Sequence, residues 1–140
     1  LELSNVFLIR DPHQLIASFA QVIETPTMQD IGLKREWEIA RYLIDQGKQP
    51  IVLDSNDILS DPQGQLSKLC AKLDIPFSNQ MLSWKAGPIK QDGCWAEHWY
   101  SNVWKSTGFE KQKTSSRELP QHLTGLYEES LKYYNLLNSI

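Results

Sequence analysis

Cysteine is scarce. Cys70 and Cys94 are the only two in 140 residues, too few for a disulfide scaffold, and nothing else argues for an oxidising compartment, so a cytoplasmic location is the default expectation. Long apolar runs are missing as well: the longest cover a few residues where a bilayer needs ~20, and no charged-then-apolar signal segment opens the chain. No membrane partner is expected. Nor does one sign of charge dominate, since 14 Lys+Arg stand against 17 Asp+Glu for a net charge of −3, which gives no reason to expect a nucleic-acid partner. Any anion must be held by a local site. The pattern G-x-x-x-x-G-K-[ST] does not occur, and no Lys or Arg precedes Arg10. What remains is ordinary globular composition, 41% hydrophobic and 22% charged, which excludes collagen-like, repetitive and disordered chains.

Charge and aromatic residues are unevenly placed. Residues 1–83 carry seven basic and eleven acidic side chains, residues 84–117 six and three, and residues 118–140 one and three. The middle segment is therefore locally basic. It also holds Trp84, Trp95, Trp99 and Trp104, four of the five tryptophans, interleaved with Lys85, Lys90, Lys105, Lys111 and Lys113. Two readings fit: aromatics packed into a core with lysines in solvent, or an anion-binding or substrate-facing lid.

The chain reads as α/β. Val6-Phe7-Leu8-Ile9 is a continuous apolar run of the kind expected for a strand buried on both faces of a parallel sheet. Asp11-Pro12 then starts a helix with Leu15, Ile16, Phe19, Val22 and Ile23 on one face. Thr27-x-x-Asp30 resembles a capping box for a further helix with Trp37, Ala40, Leu43 and Ile44 facing inward, ended by Gly47. Ile51-Val52-Leu53, closing at Asp54, reads as a second parallel strand. Asp61-Pro62 repeats the cap-plus-proline start for a helix that buries Leu66, Leu69, Cys70 and Leu73. Pro120 opens the clearest helix, with Leu123, Leu126, Tyr127, Leu131, Tyr134 and Leu137 on its buried face. Two strands leave open edges where sheets average about five or six, so strands are missing and a homodimer through those edges has room to form. One domain is expected, divided into strand–helix units over 1–83, an aromatic and basic lid or loop over 84–117 and a C-terminal helix over 118–140.

Ligands in open α/β sheets sit beyond the carboxyl ends of the strands, where Arg10 stands, and the helix that follows adds its own N–H groups and dipole. Ser18 lies on that helix beside the apolar stripe, on one flank with Gln14 and Gln21. A guanidinium fork plus a hydroxyl suits a phosphate monoester. The same residues also fit an Arg10 paired with Asp11 or another carboxylate and a Ser18 on ordinary helix surface. Cys94 and His98, four apart, make half a metal site at most, while His13 and His122 have no partner at ligand spacing, so no metal is expected.

The stretch Val6 to Pro12, followed by Ile16-Ala17-Ser18, resembles the 3′-phosphate-binding motif of sulfotransferases that use 3′-phosphoadenosine 5′-phosphosulfate. In that family an arginine ends a buried strand and a serine follows eight residues later. A second block, Val52-Leu53-Asp54 through Asp57 to Pro62 and on to Ile75-Pro76-Phe77, is similar to the strand, acidic turn and helix of bacterial members. A third, with Met81-Leu82-Ser83-Trp84, Gly87-Pro88, Trp95, His98-Trp99-Tyr100 and Ser106 to Phe109, resembles a bacterial and plant branch whose plant members can be fused to an aminotransferase-like domain. The resemblance covers most of residues 3–110.

It implies a C-terminal portion of a P-loop-NTPase-like, parallel-sheet sulfotransferase domain, helix-rich, with Arg10 and Ser18 on the cosubstrate's 3′-phosphate. Lys105, in Lys105-Ser106-Thr107-Gly108, occupies a place suited to the family's basic glycine-containing loop. The 5′-phosphosulfate-binding loop and the usual catalytic base lie upstream of the arginine–serine motif in the family and have no counterpart here; His98, among aromatics in the segment expected to face the acceptor, is either the candidate base or an imidazole on the surface of an aromatic helix. A start at Leu1 then points to the back part of a domain about twice as long, within the usual ~50–250 residues, and the 140 residues alone are expected to be inactive. The full-length protein would transfer a sulfuryl group to an unknown hydroxyl or amine acceptor. The alternative is a non-catalytic interaction module whose Trp95 and Trp99 dock a partner.

Overall fold

A computed structural model describes residues 3–94, 96, 100–110 and 118–140. The chain forms two compact units, Leu1–Ile58 with Gln112–Ile140, and Leu59–Lys111.

In the first unit the strands β1 (Val6–Ile9) and β2 (Ile51–Asp54) pair in parallel, with Val6 opposite Ile51 and Ile9 opposite Asp54. The α/β class and the two parallel strands agree with the sequence. The burial does not follow the expected two-sided pattern: Ile9 is buried, whereas Leu8 is 58% exposed and Val6 is exposed too. Apolar cover within the unit lies on the face presented by Phe7 and Ile9, and side chains alternate along a strand.

Between the strands run α1 (Pro12–Phe19), α2 (Met28–Ile31) and α3 (Leu33–Asp45). α1 stops earlier than its apolar pattern suggests, because the backbone turns at Ala20–Val22, with the Val22 N–H donating to the Phe19 carbonyl, and Val22 is left 58% exposed. The Thr27 capping box is present: both the backbone N–H and the hydroxyl of Thr27 donate to Asp30, at 2.8 and 2.6 Å. It opens only four residues of helix. Gly32 then takes a left-handed φ of 82°, which side chains with a Cβ resist, and the axis restarts as α3. On α3, Ala40 and Leu43 face inward as expected, but Ile44 is 43% exposed.

The second unit contains α5 (Pro62–Leu73), which follows the short α4 (Ser55–Ser60). Asp61 caps α5, accepting the Gly64 N–H at 3.0 Å, and Pro62 takes the first turn as the sequence led us to expect. A Cβ on Gly64 would overlap that capping carboxylate. Gly64→Ala is therefore expected to destabilise the unit by about 1 kcal/mol, the value of a lost N-cap, although alanine is the better helix former. Urea unfolding checks it, and a stabilised variant would show that the cap is dispensable.

The chain closes with a 3-10 turn, Gln121–Leu123, and the helix α6 (Thr124–Asn138), which packs on α1, α2, α3 and β2 in the first unit. Ile9, Ile16, Ile31, Leu33, Ala40, Leu123 and Leu137 form one buried cluster. Each large member contributes roughly 1.5–3 kcal/mol through burial. His13 meets Tyr127 edge-to-face at 6.0 Å, and the buried Ser130 hydroxyl donates to the Met28 sulfur at 3.9 Å.

Glu36 on α3 departs from this economy. One of its carboxylate oxygens is buried without a hydrogen-bond partner among the described residues, and desolvation pushes its pKa up. A carboxyl that holds its proton more tightly when folded loses stability as pH rises from its ordinary value of 4.5 toward the folded one. Glu36→Gln is thus expected to raise the unfolding temperature at pH 7 by about 1–3 °C, with the gain vanishing below pH ~4.5. A pH series of thermal melts on both proteins tests it; a gain that persists in acid would point to a cause other than the charge.

Candidate nucleotide-phosphate site

Arg10 follows the last residue of β1, at the carboxyl end of the sheet. Its side chain is half-buried and its Nε is withdrawn from solvent. Desolvation lowers its pKa, and the neighbouring Asp11 carboxylate partly offsets this. A guanidinium remains protonated regardless, so what desolvation changes is the strength of its field: an anion meeting a partly dried cation feels less screening than one at an exposed lysine.

Asp11 performs a second task. Its Oδ1 accepts the Gln14 N–H at 3.0 Å and so caps α1, while Pro12 has no N–H to offer. Of the donors expected at the start of α1, the Gln14 N–H is therefore already taken. A carboxylate already occupies that end, and the cationic character of this edge rests on Arg10.

Ser18 is half-buried on α1. Six residues past Pro12, it lies ~9 Å along the axis, so a phosphate reaching both Arg10 and Ser18 would lie along the flank of α1 rather than at its tip. Gln14 is on the same flank, and its side-chain oxygen is buried with no hydrogen-bond partner among the described residues. The sequence placed Gln14 there without a role.

Two further polar residues, one of them at the carboxyl end of the sheet, were not singled out from sequence. Asp54, the last residue of β2, is 7% exposed and lies opposite Ile9. Its Oδ1 accepts the Asn56 N–H at 2.6 Å and its Oδ2 accepts the Tyr134 hydroxyl from α6. Burial first, then the bond to Asp54 and the charges of Asp54, Asp11 and Asp57, push the Tyr134 pKa upward. Tyr134 is a proton donor here, not a base.

Lys105 belongs to the second unit, where it is exposed at the end of a 3-10 turn, Val103–Lys105. In that unit Trp84 and Trp104 act as struts. The Trp84 indole N–H donates to the Ser106 hydroxyl at 3.0 Å, its ring meets Phe109 edge-to-face, and its backbone N–H donates to the Thr107 carbonyl. The Trp104 indole N–H donates to Asp92 at 2.8 Å, and the same carboxylate oxygen accepts the Ile89 N–H. Trp104 is half-buried and fits the packing reading of the aromatic segment, whereas Trp84 is exposed. His98, Trp95 and Trp99 lie outside the described residues.

A buried α/β framework with an arginine at a strand end and a serine on the next helix is a scaffold able to grip a phosphate monoester. Residues 3–139 match the family described as a sulfotransferase domain, and the chain belongs to that family. Among curated proteins it is similar to branched-chain-amino-acid aminotransferase-like protein 1 of Arabidopsis thaliana, 42% identical over 135 residues. It is also similar to branched-chain-amino-acid aminotransferase-like protein 2 of the same plant, 36% identical over 133 residues. These alignments take in 96% and 95% of this chain but 24% of each relative, so the chain spans about a quarter of their length. No solved structure matches.

Proposed function

We propose that the protein of which this chain is the phosphate-gripping part transfers a sulfuryl group from 3′-phosphoadenosine 5′-phosphosulfate to a hydroxyl or amine acceptor. The observation that carries the reading is the desolvated Arg10 at the end of β1, followed by Ser18 on α1, within a chain of the sulfotransferase family. The donor set suits a 3′-phosphate: a planar fork of N–H groups and a hydroxyl, partly shielded from water. The nucleotide supplies the activated sulfuryl group. The residues of this chain anchor and orient the far end of that nucleotide, which fixes the reacting end through the rigidity of the adenosine between them. His98 is the candidate that takes the acceptor proton.

The test is calorimetric titration of the full-length protein with 3′-phosphoadenosine 5′-phosphate and with ADP, which lacks the 3′-phosphate. Saturable binding of the first, with ADP at least about tenfold weaker, is the expected result. Equal affinities would remove the 3′-phosphate from the recognition, and binding of neither would overturn the reading.

A further inference from the structure

Along the flank of α1 one polar group is left unserved. Gln14 is half-buried, and its side-chain oxygen is withdrawn from water with no hydrogen-bond partner among the described residues. Gln21, two turns on, is exposed and bonds back onto the chain, its side-chain N–H donating to the Ala17 carbonyl at 3.3 Å. Gln14 is thus the glutamine of this flank whose acceptor water does not satisfy. A buried acceptor without a donor costs free energy, so a ligand O–H gains more there than at a solvated oxygen. The last torsion of a glutamine is soft, and the amide can turn toward an arriving donor at small cost. Position matters as much. Gln14 and Ser18 are four residues apart in α1, so they share one face and stand ~6 Å apart along the axis. A phosphate held between Arg10, which precedes the helix, and Ser18 passes over Gln14.

A phosphate dianion has no proton to give and cannot satisfy the Gln14 oxygen. The sugar that carries a 3′-phosphate can, because its 2′-hydroxyl stands on the adjacent carbon. We propose that Gln14 determines specificity for ribose over 2′-deoxyribose at this site: its side-chain oxygen accepts a hydrogen bond from the 2′-hydroxyl while its amide N–H donates to the neighbouring 3′-phosphate. The inference rests on the reading of Arg10 and Ser18 as ligands of that phosphate, and it adds the class of sugar. A glutamine amide carries an acceptor and donors side by side, and a vicinal hydroxyl and phosphate present the complementary pair. A glutamine that merely coats the helix would bury its methylenes and leave its polar end in water, whereas here the oxygen is the buried part.

The experiment is titration of the full-length protein, unmodified and as Gln14→Met, with 3′-phosphoadenosine 5′-phosphate and with its 2′-deoxy analogue, alongside thermal melts. The unmodified protein is expected to bind the ribose form about 3- to 20-fold more tightly than the deoxy form. Methionine keeps the length and the methylenes but has no amide, so Gln14→Met should weaken both ligands and bring them to within about twofold of each other. A purely structural role would lower both affinities in proportion and leave the preference in place. Equal affinities in the unmodified protein, or a preference that survives in Gln14→Met, overturn the proposal, while the Arg10 reading stands as long as ADP binds more weakly than either. An unmodified protein that binds none of these nucleotides overturns both. Should Gln14→Met fail to fold, Gln14→Glu decides: it keeps an acceptor but sets a negative charge beside the phosphate, so both ligands should weaken by at least about tenfold with the ribose preference retained. Undiminished affinity in that variant would mean that Gln14 does not face the phosphate, and the proposal falls.

Discussion

Replacing Arg10 with alanine is expected to weaken binding of 3′-phosphoadenosine 5′-phosphate by roughly 10- to 150-fold, the equivalent of about 1.5–3 kcal/mol for a hydrogen bond to a charged group. The estimate sits above that for an exposed salt bridge, which is worth at most about 1 kcal/mol, because the Arg10 side chain is half-buried and its Nε is shielded. ADP has no 3′-phosphate to lose, so its affinity is expected to stay within about twofold; the variant should erase discrimination between the two nucleotides rather than weaken both. Arg10→Lys should recover only part of the loss, since an ammonium keeps the charge but not the planar fork. Calorimetry on the three proteins separates these outcomes. Equal losses for both nucleotides would point to damage to the fold of β1, and no loss for either would remove Arg10 from the site.

Why Arg10 was legible in the sequence, and Asp54 with Tyr134 was not, has a physical explanation. Arg10 and Ser18 belong to one strand–turn–helix segment, where local periodicity places residues relative to each other and a family motif can be matched over a few positions. The caps at Asp11 and Asp61 were legible for the same reason: each bond closes within three residues. The Tyr134–Asp54 bond depends on how α6 rotates over the sheet, which is settled by the packing of Leu123 and Leu137 and by no pattern near Asp54. Tyr134 could be assigned to the buried face of its helix, but not to a partner. Errors of the opposite kind arose at helix ends: Val22 follows the end of α1, and Ile44 sits in the last turn of α3, so helical spacing continued beyond the point where the core did. The split between α2 and α3 has the same origin, because a helical pattern drawn from the Thr27 cap to Gly47 takes no account of the left-handed turn at Gly32.

Leu137→Ala is expected to produce the largest loss of stability, about 2–5 kcal/mol. Leu137 is 0% exposed and belongs to the cluster with Ile9, Ile16, Leu33 and Leu123, so truncation removes burial and leaves a cavity between α6 and its neighbours. Helix propensity cannot account for such a loss, since alanine is the better helix former of the two. Against a typical domain stability of about 5–15 kcal/mol, this is a large fraction. Asn135→Ala, two positions away on the exposed side of α6, should change stability by no more than about 0.5 kcal/mol. Urea midpoints on both variants provide the comparison. Because α6 packs on α1, which carries Ser18, the damage in Leu137→Ala should extend to the nucleotide site, and ligand should repair it in turn. At 100 times its dissociation constant, a nucleotide that binds only the folded form adds about 2.7 kcal/mol, enough to offset much of the truncation. A Leu137→Ala protein that unfolds at the same urea concentration with and without saturating 3′-phosphoadenosine 5′-phosphate would mean that the phosphate site does not depend on the unit that α6 holds together.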